Sequence, residues 1–337
     1  MNTHNPLPFA VPMSSTASNA ASVEIGLNAA IAAVDKDQPQ ILVVRAEQAS
    51  SSLDSLPYGP FTPREHRTLE IGLRNWVSEQ TGLSLGYVEQ LYTFGDRGRH
   101  AQPDDIDPHV VSIGYVALTR VVQEQELTGG YWRNWYGFFP WEDWREGKPA
   151  ILEHEIEPRM REWASRPRAH GAQDIVPPQD RVRMCFALDG VRWDEEKVLE
   201  RYELMYEAGL ITESEEDGRY ATQTWEDVPT LGLSMLYDHR RILATAMGRL
   251  RAKIKYRPVI FELMPDEFTL FELQKTVEAI LGSHLHKQNF RRLVENCGLV
   301  DSTGDVRTNT GGRPAKLFRF RHEVLLERPA PGVRVHA

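Results

Sequence analysis

The sequence predicts a mixed α/β (α+β) protein, a body of strands and helices followed by a small basic winged helix-turn-helix. Three observations carry that expectation. β-branched runs separated by turn-forming clusters fill the N-terminal third. A pair of short helices joined by Gly282-Ser283, followed by two strands around a glycine-rich loop, lies near the end. The charge is also divided: the net −9 hides eighteen Lys and Arg against eleven Asp and Glu from Asp238 onward, so this part carries +7 and the remainder −16. Chance clustering on solvated helix faces gives the same arithmetic, but two parts with different partners explain it as well.

Composition narrows the classes. Hydrophobic residues make up 41% and charged residues 26% of the 337, which excludes wholesale disorder. No apolar run reaches the roughly 18–20 residues of a membrane span, and no secretory signal is evident. Cys185 and Cys297 cannot staple a chain of this length, and no cysteine pair has zinc-ligand spacing. A reducing cytoplasm is expected.

Residues 1–22 contain no Asp, Glu, Lys or Arg and read as a tail. Val23 to Val34 and Ile41 to Arg45 read as strands around the turn Asp35-Lys36-Asp37-Gln38-Pro39. After Pro57-Tyr58-Gly59-Pro60, a helix is predicted over about 62–81, with Leu69, Leu73, Trp76 and Val77 on one face and a stop at Gly82. Tyr87 to Phe94 and Val110 to Val121 read as further strands. The loop between them, Asp96-Arg97-Gly98-Arg99, could meet phosphates through Arg97 and Arg99 or be a plain polar hairpin loop.

Eight of the fourteen residues from Tyr131 to Trp144 are Trp, Tyr or Phe. Such a stretch must pack, against the protein's own core or a dimer mate, or serve as a clamp for a base or sugar. Helical patterns follow over about 148–163 and, acidic in character, 193–208, with a linker at 166–178 between them and an acidic turn at 213–217. The longest helical pattern, 234–255, has an apolar stripe of Leu236, Ile242, Leu243, Met247 and Leu250. Its charged faces are assigned to Arg240, Arg241, Arg249, Arg251, Lys253 and Lys255.

The last hundred residues carry most of the chemistry. Thr269 and Glu272 have capping-box spacing at the start of a helix running to Leu281. A second helix, about 287–296, turns Phe290, Leu293 and Val294 inward and leaves Lys287, Gln288, Asn289, Arg291 and Arg292 outward. These side chains suit a major groove: Asn and Gln pair with adenine, Arg with guanine, and Lys neutralises phosphate. Leu299-Val300-Asp301, a loop containing Gly311-Gly312-Arg313-Pro314, and Leu317 to Arg321 form a wing pattern whose Arg313 and Lys316 could reach a minor groove or phosphates. From the helices alone, a helical domain with a solvated basic face reads equally well, and a protein-interaction module is a third reading of this basic region.

Four segments, Leu236-Tyr-Asp-His-Arg-Arg-Ile-Leu, Phe268-Thr-Leu-Phe-Glu-Leu-Gln, His286-Lys-Gln-Asn-Phe-Arg-Arg and Gly312-Arg-Pro-Ala-Lys-Leu-Phe-Arg-Phe, resemble the Nudix-related transcriptional regulators of bacterial NAD metabolism. The resemblance spans roughly 23–130 and 234–322 and rests mainly on the second part. The long segment 131–230 looks more like the NadQ-type branch than the NrtR-type one. The resemblance implies a Nudix-like αβα sandwich followed by a winged helix-turn-helix. The implied division is a tail (1–22), a ligand-sensing and dimerisation domain (23–255) with an insert at about 131–230, a DNA-binding domain (256–325) and a tail (326–337). It also implies a homodimeric repressor of NAD biosynthesis genes on palindromic operator DNA, with ATP, NAD or ADP-ribose as effector and no required cofactor.

The family's signature box, anchored on Gly82-Leu83, puts its Arg-Glu-U-x-Glu-Glu positions on Asn75, Trp76, Val77, Ser78, Glu79 and Gln80. Only Glu79 keeps a carboxylate, and one carboxylate does not hold two divalent cations beside a pyrophosphate. A nucleotide sensor without hydrolysis is therefore expected, with Arg45, Arg64, Glu79, Arg97 and Arg99 as ligand-contact candidates. The alternative is a divergent Nudix hydrolase of a nucleoside diphosphate derivative such as ADP-ribose, drawing on Glu65, Glu70 and Glu79 in another register. Glu70 and Glu79 lie nine residues apart, about 13.5 Å of helical rise, too far to share one metal site.

Overall fold

The computed structural model describes residues 23–45, 53–96, 109–167, 175–216, 225, 227, 229–308 and 314–323. The expected tails, Arg97, Arg99 and Arg313 lie outside these residues. β1 (Val23–Asp35) runs through the middle of a seven-stranded mixed sheet. It pairs in parallel with β6 (His109–Leu118) and antiparallel with β2 (Gln38–Arg45) and β4 (Tyr58–Pro60), which share its other edge. β3 (Asp54–Ser55) and β7 (Tyr131–Asn134) extend the sheet from β2, and β5 (Tyr87–Phe94) closes the far side on β6. The expected β1–β2 turn forms at Lys36 and Asp37, whose φ values of 46° and 64° match the twist of a tight hairpin.

Residues 29–33 of β1 are all buried because both faces are covered, which is why the strand reads as a nearly continuous apolar run. Leu27, Ala29, Ile31 and Leu42 pack beneath α1 (Leu69–Thr81) with Leu73 and Val77. Ala30, Ala32, Ile41 and Val43 face the other way, into a core shared with α6 (His239–Ile254). In chain order α1 and α6 are separated by α2 (Glu157–Ser165), α3 (Pro178–Cys185), α4 (Val198–Glu207) and the short α5 (Glu213–Glu216). The result is the αβα sandwich expected from the sequence.

α1 starts seven residues later than its pattern suggests. Thr68 caps it by accepting from the Ile71 amide, and the preceding segment folds into a turn in which the Thr62 amide donates to Nδ1 of the buried His66. Its end at Gly82, with φ of 75°, is as expected.

The aromatic stretch enters the protein's own core. Trp135, Phe138, Phe139 and Trp141 are almost wholly buried against α4, α6 and the sheet. The chain after Lys148 is helical from residue 150 to Ser165, its first part as a π-turn over Leu152–Ile156.

The largest correction concerns charge. Arg240 and Arg251, assigned to exposed faces of the long helix, are buried, and so is Glu213 of the expected acidic turn. Arg240 donates to the Phe138 carbonyl at 3.1 Å and to Glu213 at 3.2 Å. Arg251 donates at 2.7 Å to Glu142, which also accepts from Arg201 at 2.6 and 2.8 Å. Glu142, Arg201 and Arg251 are fully buried. Burial pushes the Glu142 carboxyl up, but the two guanidinium groups more than reverse this and hold it below the ordinary range. Periodicity misassigned these residues because a charge can occupy a core-facing position when its partner arrives from a distant segment.

Replacing Glu142 by Ala leaves two buried guanidinium groups facing each other. The expected cost is about 3–5 kcal/mol of unfolding free energy, to be read from urea melts beside those of the wild type. A loss below about 1 kcal/mol would show that the triad does not hold the body together.

Candidate nucleic-acid interface

Beyond α6, residues 258–263 make a 3-10 turn and lead to α7 (Leu270–Leu281). Its capping box forms as expected: the Glu272 amide donates to Thr269 Oγ1 at 3.2 Å, and the Thr269 amide to Glu272 Oε2 at 2.8 Å. Gly282, with φ of 73°, ends α7, and α8 (Lys287–Cys297) follows. A Cβ at Gly282 would collide with the Glu142 carbonyl, so this turn position also requires glycine by close approach.

The turn between the helices is latched by a residue that sequence reasoning passed over. The buried Glu278 carboxylate accepts from the Leu285 amide at 2.9 Å, Gln274 Nε2 at 2.7 Å and Lys275 Nζ at 2.9 Å, and pairs with His284 Nδ1 at 3.1 Å. Burial raises its pKa, but these hydrogen bonds outweigh burial and bring it down to about 2. The available signal is a pair of polar residues, Gln274 and Glu278, four apart on an otherwise apolar face.

α8 presents its face as expected. Phe290 and Val294 are buried and Leu293 half-buried, while Lys287, Gln288, Asn289, Arg291 and Arg292 are exposed. Among the described residues none of these five side chains forms a hydrogen bond or ion pair, so their donors remain available to a partner. β8 (Val300–Arg307) and β9 (Ala315–Phe320) form the wing hairpin, and Phe268 and Phe318 exchange backbone hydrogen bonds of 2.9 and 2.8 Å that dock it against α7. Phe320 stacks on Phe261 with centroids 4.3 Å apart. Lys316 is exposed at the start of β9, and Arg313 precedes it outside the described residues.

A cleft of about 550 Å³ opens between the first turn of α7, α8 and β9, lined in part by Lys287, Arg291 and Lys316. The structure thus brings two α8 cations, Lys287 and Arg291, and the wing lysine to one cavity, while Arg292 does not line it.

The body holds this head by its first helix. Three carbonyls at the end of α7 lack helical partners and accept from the body: Ala279 from Tyr136 Oη at 2.8 Å, Ile280 from Arg251 Nε at 2.9 Å and Gly282 from the Trp144 amide at 2.7 Å.

The residues expected to contact a small ligand are less gathered. Arg45 ends β2 with its guanidinium 5.6 Å from the Tyr131 ring centroid, Arg64 is exposed in the turn before α1, and Glu79 is exposed on α1. No hydrogen bond or ion pair links these three. Two positions where the signature would place carboxylates serve the backbone of β4. Trp76 Nε1 donates to the Pro60 carbonyl at 2.9 Å, and its ring fills the space a Cβ on Gly59 would need. Gln80 exchanges two hydrogen bonds with Tyr58, 2.7 and 3.1 Å.

These features define a winged-helix head on an αβα body. Residues 260–320 match the family described as the NrtR DNA-binding winged helix domain. A stretch of 90 residues is 43% identical to the "ADPR responsive transcriptional repressor NtrR" of Acinetobacter baylyi; it covers 27% of this chain, and the match spans about a third (36%) of that curated relative's length. Two crystal structures of Shewanella oneidensis NrtR, one complexed with a 27mer DNA, match the fold with a TM-score of 0.52 at 20% identity, covering 89% of this chain and 94% of theirs. The C-terminal segment is thus similar to the NrtR winged helix domain, and the chain shares its overall fold with the Shewanella oneidensis NrtR structures.

Glu278 gives this head a pH signature. Its folded pKa of about 2 lies below the ordinary 4.5, so its stabilisation is fully present above about pH 4.5 and is lost as pH falls toward 2. Wild type should therefore exceed Glu278→Gln in stability at pH 7, by on the order of 1–3 kcal/mol, with the gap closing in acid. Urea melts at pH 7 and pH 3 check this; a gap that stays constant would remove Glu278 as the latch.

Proposed function

We propose that the protein is a DNA-binding transcriptional repressor of NAD biosynthesis genes that senses ADP-ribose or a related adenine nucleotide, ATP or NAD among them. The observation that carries this reading is the outward row Lys287, Gln288, Asn289, Arg291 and Arg292 on the second helix of an NrtR-type winged helix, with Lys316 beside it. Free donors of this kind read base edges and neutralise phosphates. The names of the relatives support the partner and the effector: one is ADP-ribose responsive and one is crystallised on DNA.

In this reading residues 256–325, with Arg313, bind the DNA, and residues 23–255, including the insert 131–230, sense the ligand and dimerise. A two-fold dimer matches a palindromic operator. Arg45, Arg64, Glu79, Arg97 and Arg99 are the ligand-contact candidates. The length of the insert favours the NadQ-type branch and hence genes of de novo NAD synthesis. Cytoplasmic action fits a DNA-bound regulator, and no helix among the described residues is long and apolar enough to cross a membrane.

The body does not hydrolyse its ligand in this reading. Trp76 and Gln80 occupy signature positions and are engaged with β4, which leaves Glu79 as the remaining carboxylate of the box. A ligand shifts the head through the three carbonyl contacts at the end of α7, and a coupling of about 1–3 kcal/mol changes operator affinity about 5–150-fold.

Mobility shifts of the full-length protein on DNA upstream of NAD biosynthesis genes test the reader. Affinity should fall steeply with salt as counterions are released, and Asn289→Ala or Arg292→Ala should cost about 1–3 kcal/mol and relax base preference. Salt-independent binding, or variants as selective as wild type, would sink this assignment. Incubation with ADP-ribose and Mg²⁺ should give no multiple turnover; sustained turnover would establish the hydrolase instead.

A further inference from the structure

The cleft beside α8 contains a residue that neither the base-reading row nor the wing accounts for. Phe271 sits in the first turn of α7 and is 56% exposed, although it is a large apolar side chain. It has not been left outward for want of a core, since its neighbours Leu270 and Leu273 are buried. The cleft combines two chemistries: Leu270, Phe271 and Phe318 line it with carbon, and Lys287, Arg291 and Lys316 supply cations. Lys275 Nζ lies 5.7 Å from the Phe271 ring centroid, so the ring also has a cation beside it.

Alternating apolar and cationic contacts match the sugar-phosphate backbone, in which an apolar deoxyribose lies between two anions. In helix-turn-helix docking the first helix crosses the backbone, and Phe271 stands on the exposed first turn of that helix. We infer that this cleft seats the backbone of one DNA strand, with the Phe271 ring packed on a deoxyribose between phosphates held by Lys287 and Arg291 on one side and Lys316 on the other. The inference rests on the DNA-reading function proposed above. Phe271 would set the register of the head on the duplex through apolar contact, not through charge.

That distinction gives the test. A duplex selected by the full-length wild type from a random-sequence pool is the probe, and affinity is measured across a salt series. Phe271→Ala should bind about tenfold more weakly, the expected effect of losing part of a buried aromatic contact, with the salt slope unchanged. Lys316→Ala should reduce the slope by about one phosphate contact. Phe271→Leu, which keeps an apolar group, should recover most of the affinity. Because the ring is exposed, thermal melting of the variants should match wild type. Phe271→Ala binding as tightly as wild type would overturn the inference, as would a loss of affinity matched by a fall in salt slope. A second overturning result is a Phe271→Ala variant that binds DNA normally but no longer assembles as wild type does, which would make the cleft a protein contact. Failure of the wild type to select any duplex would sink the DNA-reading function itself, a separate outcome.

Discussion

A carboxylate with no exposure to water sits where body and head meet, and the surrounding structure is organised by the need to neutralise it. Glu142 would be intolerable alone, since burying a single ion costs several kcal/mol even after relaxation. Arg201 from α4 and Arg251 from α6 supply its counter-charges. One charged site therefore forces three separate parts of the chain to converge. The same Arg251 donates to the Ile280 carbonyl of α7, and the Glu142 carbonyl crowds Gly282. The constraint that assembles the body thus also fixes where the winged-helix head begins.

The segment between residues 131 and 230 takes on meaning from this arrangement. It is not an appendage on a smaller fold. Its aromatic stretch fills the face of the sheet opposite α1, its Glu142 anchors the triad, and Tyr136 and Trp144 hold the end of α7. One continuous apolar core runs from the sheet through this segment into Phe268, Leu273 and Phe290 of the head.

Charge is sorted accordingly. The basic C-terminal part includes arginines that never meet solvent: Arg240 and Arg251 are consumed by Glu213 and Glu142. Exposed cations remain on α8 at Lys287, Arg291 and Arg292 and on the wing at Lys316. Likewise, the polar atoms of Trp76 and Gln80 on α1 are spent on the β4 backbone. Electrostatic character is decided by which side chains remain unpaired after folding, not by how many the segment contains.

Local patterns determined a good deal by themselves. The β1–β2 hairpin, the glycine stop of α1, the capping box of α7 and the outward row of α8 are each specified within a few residues, so they are legible in the sequence. The late start of α1 was not, because a turn closed by His66 competes with helical periodicity. Nor was the burial of Arg240, Arg251 and Glu213, since periodicity reports a residue's own direction and not the partner that makes burial tolerable. The latch on Glu278 and the docking of α7 belong to the same class: they depend on atoms dozens to more than a hundred residues away or on a turn already formed. Sequence determined the long strands, the principal helices and which face of α8 turns outward, but not the short strands β3, β4 and β7 or helix α3. Tertiary structure alone decided which charges are spent inside, because a buried ion is stable only where distant segments bring its counter-charge.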